Sequence, residues 1–448
     1  MHTLSDVRIT LPSWEEVLHV LLLEEYNTRV VVLGVMALGL ASGLIGTFLV
    51  LRKRALTADA LSHATLPGIV IAFMFMVGFG GDGKHLIGLL IGAFVFGCIG
   101  VLLILAIRST TRLKDDAAIG IVLSVLFGLG ICLLRLATDL PSGNSAGLSG
   151  FIFGKASSMV ASDVIVMALL AIFVSICTAV LFKEFTILCF DTSFGSSQGW
   201  PVLILDTILM VLVAIVTVIA LQTVGLVLAV ALLIIPAASA RFWTNSVKKM
   251  LFTAAIIGVF SGWLGAVVSA LIPRIPTGPI IIMLCGFCFL LSLVFGSDTG
   301  IFKRQVQRIK LHRKIELQHL LRAIYELTEG SKKETVSFEA IVSKRSWSIS
   351  HVNAILRRAK SRGFIEAHGS AEFMLTTFGS SEADRIVRNH RLWEVYLINY
   401  ADIAPSHVDR DADMIEHVLG TEMVSQLEAL LAYDDIIDSP HPLIGTQS

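Results

Sequence analysis

Two side chains that could hold a metal ion lie four residues apart in an otherwise apolar stretch. Asp59 and His63 belong to the segment ALTADALSHATLPG, residues 55–68. On a helix this spacing places both side chains on one face. A carboxylate oxygen and an imidazole nitrogen together suit Mn²⁺, Fe²⁺ or Zn²⁺. The two residues could instead pair with each other or with a neighbouring helix, and the spacing alone leaves both interpretations open.

The pair lies within a series of apolar runs. Only 16% of the 448 residues are charged, against about 25% in average soluble proteins, and the charges are scarce between residues 29 and 296. Runs of about 17–25 apolar residues predict membrane-spanning helices. We predict about nine spans, at 29–51, 58–79, 85–107, 117–136, 159–182, 202–220, 223–241, 250–272 and 278–296. The residues before them, 1–28, have the acidic composition of an extracytoplasmic segment and not that of a cleavable signal peptide.

Basic residues predict the orientation of these spans. They concentrate after the odd-numbered spans, as Arg52, Lys53, Arg54, Arg108, Arg112, Lys114, Lys183, Arg241, Lys248, Lys249, Lys303 and Arg304. Positive residues favour the cytoplasmic side, so we expect a multi-pass protein of the bacterial inner membrane with an external N-terminus and a cytoplasmic C-terminus. An ionisable residue in lipid costs roughly 2.5–3.5 kcal/mol and usually faces a pathway or a partner. Pro67 and Gly68 follow the pair and suggest a broken helix that lines a cavity.

Three segments resemble the ABC-3 family of metal-ion permeases, the membrane subunits of ATP-binding-cassette importers for manganese, zinc and iron. They are residues 52–68, 111–121 and 225–241. The resemblance implies that Asp59 and His63 coordinate the ion in transit. It also implies an external solute-binding protein, a second permease copy, and a cytoplasmic ATPase that docks on a helix within 236–249, which includes Pro236, Arg241, Lys248 and Lys249.

No ATPase is expected in this chain, which we interpret as a transport subunit and not an enzyme. The nearest phosphate-loop pattern, GFGGDGKH at 78–85, has His85 where a Ser or Thr would hold Mg²⁺, and it follows a membrane helix instead of a strand.

The remaining third of the chain has the composition of a soluble protein. Residues 297–315 form a basic juxtamembrane linker, for which anchoring on anionic lipid is favoured over DNA contact. Residues 316–379 have the order helix, helix, helix, hairpin, which is typical of a winged helix-turn-helix domain. The helices are predicted near 317–327, 337–345 and 348–362, and two short strands within 363–376.

The third of these helices has the charge of a DNA-binding element. Between residues 341 and 363 there are six Lys or Arg and no Asp or Glu, although a charge run is often only a solvated face. A basic helix in this position would enter the major groove. The candidate base-reading residues are Ser348, Ser350, His351 and Asn353, and Arg357 and Arg358 would neutralise phosphate.

Two further sets of potential ligands occur in residues 380–448. His390 and Glu394 are one helical turn apart, and Asp413, Glu416 and His417 share another helical face. Nitrogen and oxygen ligands without cysteine suggest Mn²⁺ or Fe²⁺. Ordinary surface charge is the alternative.

Residues 316 to about 445 resemble the metal-dependent regulators of the diphtheria-toxin-repressor type, in the runs LRAIYEL (321–327), RNHRLWE (388–394) and EHV (416–418). The resemblance implies one metal site of His319, Asp413, Glu416 and His417 and a second that includes His390 and Glu394. In the second site Asp409 replaces an expected histidine. It also implies that residues 380–432 form a dimer that reads a two-fold-related operator.

We therefore predict an all-α polytopic membrane protein followed by an α+β winged helix-turn-helix domain and an α-helical metal-binding and dimerisation domain. Its leading interpretation is an importer subunit for Mn²⁺, Fe²⁺ or Zn²⁺ that carries its own metal-dependent repressor, released by proteolysis near 297–315. Two alternatives remain: a tail that senses metal and gates transport without binding DNA, and a membrane-tethered transcription factor without transport.

Overall fold

The computed structural model describes residues 13–80, 85–138, 159–272, 275–329, 334–345, 347–369, 371–400 and 424–427. The chain divides into two compact units, residues 1–304 and 305–448.

In the first unit a helix lies at each of the nine predicted spans, preceded by a short amphipathic helix, α1 (Trp14–Leu21), and interrupted by two short helices, α7 (Phe182–Phe190) and α8 (Thr192–Ser197). The nine are α2 (Tyr26–Leu51), α3 (Ala55–Gly78), α4 (Leu86–Thr110), α5 (Asp115–Thr138), α6 (Ala161–Val180), α9 (Val202–Val224), α10 (Leu226–Arg241), α11 (Val247–Leu271) and α12 (Thr277–Phe295). Eight of them are long and apolar enough to cross a membrane, and α10, at 16 residues, is shorter.

Helices α9 and α10 are separate passes that reverse at Gly225. This residue has φ +86°, a conformation that glycine adopts without strain, so the reversal lies a few residues after the predicted gap at 221–222. Asp206, near the start of α9, bonds Arg52 at the end of α2. The end of α10, through Ala237 and Ala240, packs beside the same end of α2. Helix α10 therefore returns to the side on which α9 begins.

Close backbone contacts between glycines hold these helices together. A Cβ atom on Gly39 would lie 2.4 Å from the carbonyl oxygen of Gly258 in α11, and one on Gly68 would lie 2.0 Å from that of Gly92 in α4. Small residues allow such approaches in lipid. Helix α3 runs without a break through Pro67, so the prediction of a broken helix there was wrong. The reason is that Gly68 is packed tightly against α4, which keeps the segment helical.

The second unit contains the predicted winged helix-turn-helix order. Its elements are α13 (Ile301–Glu329, which begins four residues before the unit), β1 (Val336–Ser337), α14 (Phe338–Lys344), α15 (Ile349–Ser361), β2 (Ile365–His368), β3 (Glu372–Leu375) and α16 (Thr377–Tyr400). The three strands form an antiparallel sheet of order β1–β3–β2, in which Ile365 pairs with Leu375 and Val336 with Phe373.

This unit differs from the prediction in two places. Strand β1 was not predicted, since two residues carry no recognisable pattern. The segment 297–315 is not a separate linker, because most of it forms the first half of α13. Residues 301–329 contain neither Gly nor Pro, so nothing in the sequence ends the helix before the core residues Leu320 and Ile324, which are fully buried.

Candidate metal sites and DNA interface

Asp59 and His63 lie on one face of α3, as their spacing predicted. His63 Nε2 is 3.5 Å from Asp59 Oδ1, and the two side chains are 21% and 40% exposed, respectively. The His63 ring meets Phe127 of α5 edge to face, with 4.7 Å between centroids. Nδ1 of His63 is buried and has no hydrogen-bond partner in the described part of the chain. The pair is therefore loosely joined, and one buried ring nitrogen of His63 lacks the hydrogen-bond partner that such an atom usually has.

Pro67 contributes to the same place. It has no N–H to donate to the carbonyl of His63, four residues earlier. That carbonyl loses its usual helical donor and becomes a further oxygen near the pair. Within the described residues no group of three or more His, Cys, Asp and Glu side chains comes together, so two side chains are the ligands that this part of the structure offers.

A buried cluster of charged side chains lies one turn before the pair. Asp206 of α9 accepts from Arg54 at 2.8 and 2.9 Å and from Arg52 at 3.0 Å. Arg108, at the end of α4, bonds Asp115 at 2.7 Å and lies 3.4 Å from Asp206. The side chains of Arg52, Arg54 and Asp206 are less than a tenth exposed. The cluster thus ties α2, α4, α5 and α9 to the start of α3.

The predicted ATPase-docking segment, residues 236–249, is not one helix. It consists of the end of α10, a short turn and the first residues of α11. Arg241, Lys248 and Lys249 are exposed, whereas Pro236 is buried inside α10. Pro236 therefore offers no surface to a partner. It is a buried residue inside α10, and the helix continues past it to Arg241.

In the second unit, His390 and Glu394 form a closed pair on α16. Nε2 of His390 is 3.0 Å from Oε1 of Glu394, and both side chains are almost fully buried. Nη1 of Arg322, on α13, lies 2.9 Å from Nδ1 of His390. His319 is half-buried on α13, three residues before Arg322. The structure therefore brings two predicted ligands, His390 and Glu394, together with the guanidinium group of Arg322 in one buried cluster.

The proton positions of this group follow from its partners. Arginine only donates hydrogen bonds, so Nδ1 of His390 accepts from Arg322. Nε2 of the neutral ring then carries the proton and donates to Glu394. A metal ion needs a ring nitrogen with a free lone pair, so His390 can bind an ion only after Arg322 has left Nδ1. The imidazole and carboxylate fit a divalent ion, and the arginine competes with it.

Arg322 also bonds Glu326 at 2.5 Å, and Lys344 lies 3.2 Å from the same carboxylate. Burial alone would raise the pKa of Glu326, but the two cations outweigh it and hold this pKa below its ordinary value. The remaining predicted ligands, Asp413, Glu416 and His417, lie outside the described residues.

Helix α15 presents only some of the predicted DNA-binding residues on its open face. Ser350, Asn353 and Arg357 are exposed at helical spacing. Ser348 is the N-cap, and its hydroxyl accepts from the backbone N–H of His351 at 3.4 Å. Such capping stabilises a helix by about 1 kcal/mol. Ser348 therefore has a structural role that accounts for its type at this position.

His351 and Arg358 point towards α13 instead. Arg358 Nη1 is 2.8 Å from Oε2 of Glu316, and Nε2 of His351 is 3.6 Å from Oε1 of the same carboxylate. His312 approaches that carboxylate at 3.2 Å from the other side. Glu316 thus joins α13 to the predicted DNA-reading helix.

Comparison with known families identifies the first unit. The model of the ABC 3 transport family matches residues 24–296, which is more than half of the chain. The chain belongs to the ABC 3 transport family. A second model, the iron dependent repressor, metal binding and dimerisation domain, matches residues 376–441. This ABC 3 protein therefore carries a repressor-type metal-binding domain fused behind its permease, as the sequence predicted.

Individual relatives support the same division of the chain. The manganese transport system membrane protein MntC of Bacillus subtilis is 35% identical over 389 residues, 87% of this chain and 88% of that one. This alignment extends past the first unit, which ends at residue 304. The zinc transport system membrane protein TroC of Treponema pallidum is 39% identical over 280 residues, 62% of this chain and 92% of its own.

A solved structure, PsaBC from Streptococcus pneumoniae in complex with Fab, shares 30% identity with a TM-score of 0.55 and covers 65% of this chain and 99% of that one. The permease fold is thus known without the tail, and the tail is an addition to it.

Sequence reasoning missed three residues of these sites. Asp206 was detectable, because a lone carboxylate in the apolar run 202–221 must find a partner. Arg322 and Glu316 were not detectable, because each forms its hydrogen bond with a residue more than 40 positions away.

Proposed function

We propose that the ABC 3 unit is the permease subunit of an importer for a divalent transition-metal ion and that Asp59 and His63 bind the ion in transit. The open geometry of this pair is the main support. Its oxygen and nitrogen donors suit Mn²⁺, Fe²⁺ and Zn²⁺, and the names of the relatives MntC and TroC specify manganese and zinc. A separate cytoplasmic ATPase, docked on Arg241, Lys248 and Lys249, supplies energy. An external binding protein delivers the ion, and a second permease copy completes the path in the inner membrane.

Metal uptake by cells that express the whole importer tests this role. We expect Asp59→Asn and His63→Gln each to reduce Mn²⁺ or Zn²⁺ uptake at least tenfold at equal protein level. Asp116→Asn is the matched control, because Asp116 is exposed at the start of α5. Uptake that is unchanged by both ligand variants would instead support a tethered transcription factor without transport.

We further propose that the second unit is a metal-dependent DNA-binding repressor on the cytoplasmic side. His390 and Glu394 would hold one regulatory ion, and a second site would use His319 with the predicted ligands Asp413, Glu416 and His417. The exposed face of α15, with Ser350, Asn353 and Arg357, would enter the major groove.

Gel shift of the full-length protein in nanodiscs with its own promoter DNA tests the repressor role. We expect a shift with Mn²⁺ or Fe²⁺ that disappears after chelation, and a loss of that shift in Arg357→Gln. Glu366→Gln is the control. It removes a charge from an exposed side chain on strand β2, and we expect the shift to remain. If metal alters uptake and yet no shift occurs, the tail gates transport instead.

A further inference from the structure

The first half of α13 and helix α15 together form an open basic groove. Its volume is about 280 Å³. The charged residues that line it are Arg308, His312, Arg313 and Glu316 of α13 and Arg358 of α15. Both helices belong to the second unit, and four of these five side chains are basic or can be protonated.

The periodicity of α13 explains how these residues meet. Arg308, His312 and Glu316 repeat every four residues, and Arg313 lies beside them on the same face. The ion pair between Glu316 and Arg358 fixes this face towards α15. Lys310 and Lys314 occupy a different face of the same helix, which follows from the rotation of 100° per residue.

The charge of the groove favours an anion. With histidines neutral, three arginines face one carboxylate, so the excess is two positive charges. Arg358 satisfies Glu316, which leaves Arg308 and Arg313 exposed and directed into the groove. Arginine is the side chain best matched to phosphate oxygens, because its fork of N–H groups binds two of them at once.

We infer that this groove binds the phosphate backbone of DNA and that α13 belongs to the DNA-binding surface. The inference rests on the proposed DNA binding by α15. Arg358 supplies the argument for DNA, because it lies one residue from Arg357 on the helix that would read the operator. A phosphate held by Arg308 and Arg313, the two arginines of the groove that Glu316 does not bind, would lie beside α15 and within reach of the same duplex. The juxtamembrane helix is then a part of the repressor, and Glu316 is its positioning residue.

The salt dependence of DNA binding tests this inference. The probe is a 30-bp duplex of mixed sequence, because phosphate contacts do not depend on sequence. Binding is measured between about 50 and 200 mM salt with the full chain in phosphatidylcholine nanodiscs, which lack anionic lipid. Removing two phosphate contacts lowers the slope of log K against log salt by about 2. We expect this change in Arg308→Gln with Arg313→Gln.

The control is Lys310→Gln with Lys314→Gln, which removes the same charge from the other face of α13. We expect less than half of the change in slope. Equal changes in both double variants, or no change in the arginine variant, would overturn the inference. In that case, protection of α13 from proteolysis in nanodiscs that contain phosphatidylglycerol, present in the unaltered protein and lost in both double variants, would identify lipid as the partner of this helix. If the unaltered protein binds no duplex, the proposed DNA binding itself fails, which is a different outcome.

Discussion

The two units contain the same chemical pair in opposite settings. Asp59 and His63 in the permease, and His390 and Glu394 in the tail, each place a carboxylate and an imidazole one helical turn apart. The permease pair is partly exposed, with 3.5 Å between Nε2 of His63 and Oδ1 of Asp59. The tail pair is buried and hydrogen-bonded at 3.0 Å. The same spacing therefore gives an exposed or a buried pair according to the residues around it, and we propose that this difference separates an ion in transit from one that is retained.

The two pairs differ most clearly in what the neighbouring arginines bind. In the permease, Arg52, Arg54 and Arg108 are bound to Asp206 and Asp115, and their cluster fixes the helices beside the pair. In the tail, Arg322 bonds the histidine of the pair itself. Under the proposed roles, an ion would reach the permease pair without displacing an arginine, whereas in the tail it would first have to displace Arg322 from His390.

In the permease, Asp206 holds together the helices beside the Asp59–His63 pair. Its substitution should have the largest effect on stability and uptake. Asp206→Asn leaves three arginines near one remaining carboxylate. Breaking one partner of a buried ion pair costs about 3–5 kcal/mol. We expect a lower melting temperature of the detergent-solubilised protein and a matching loss of uptake. Asp298→Asn is the control, because Asp298 and Lys303 form a partly exposed pair at 3.7 Å, worth less than about 1 kcal/mol. Equal melting temperatures for the two variants would contradict the role of the cluster.

In the tail, the proposed affinity of the His390–Glu394 pair for a metal ion depends on Arg322. In Arg322→Met the ion no longer has to break a hydrogen bond to a charged group, which is worth about 1.5–3 kcal/mol. We expect Mn²⁺ to bind the tail about tenfold more tightly, as measured by calorimetry in an Asp59→Asn background that removes the transport ligand. Arg385→Gln, an exposed arginine on α16, should leave the affinity unchanged. Weaker binding in Arg322→Met would show that the arginine organises the site instead of competing for it.

Acidic pH should reduce the stability of the tail, with a smaller effect than the two substitutions above. The pKa of Glu326 is lowered in the folded tail, so this carboxylate stabilises the fold above its unfolded pKa of about 4.3. That contribution is lost as the pH falls through the lower folded value. The hydrogen-exchange protection factors of α13 and α14, which are corrected for the intrinsic exchange rate, should therefore fall at acidic pH, and Glu326→Gln should show weaker pH dependence. An identical pH profile in both proteins would remove Glu326 from the network.

How far the sequence predicted this structure depends on the range of the interactions involved. Apolar runs predicted the long apolar helices in the described part of the first unit, because burial in lipid is a property of each segment alone. The pairs Asp59–His63 and His390–Glu394 were found because four residues make one helical turn. The ion pair of Asp206 with Arg52 and the hydrogen bond of Arg322 to His390 were not predicted, since they depend on which helices become neighbours. Ser348 has an additional role that was not predicted: it caps α15 by accepting a hydrogen bond from the backbone N–H of His351, and its proposed contact with DNA stays a prediction.

The measurement that tests the central claim most directly compares Asp59→Asn and Glu394→Gln in one full-length preparation. Uptake of radioactive manganese and manganese-dependent binding to promoter DNA are recorded for both. We expect Asp59→Asn to lose uptake and keep DNA binding, and Glu394→Gln to keep uptake and lose DNA binding. If either variant loses both activities, or neither, the two pairs do not have the separate roles assigned to them.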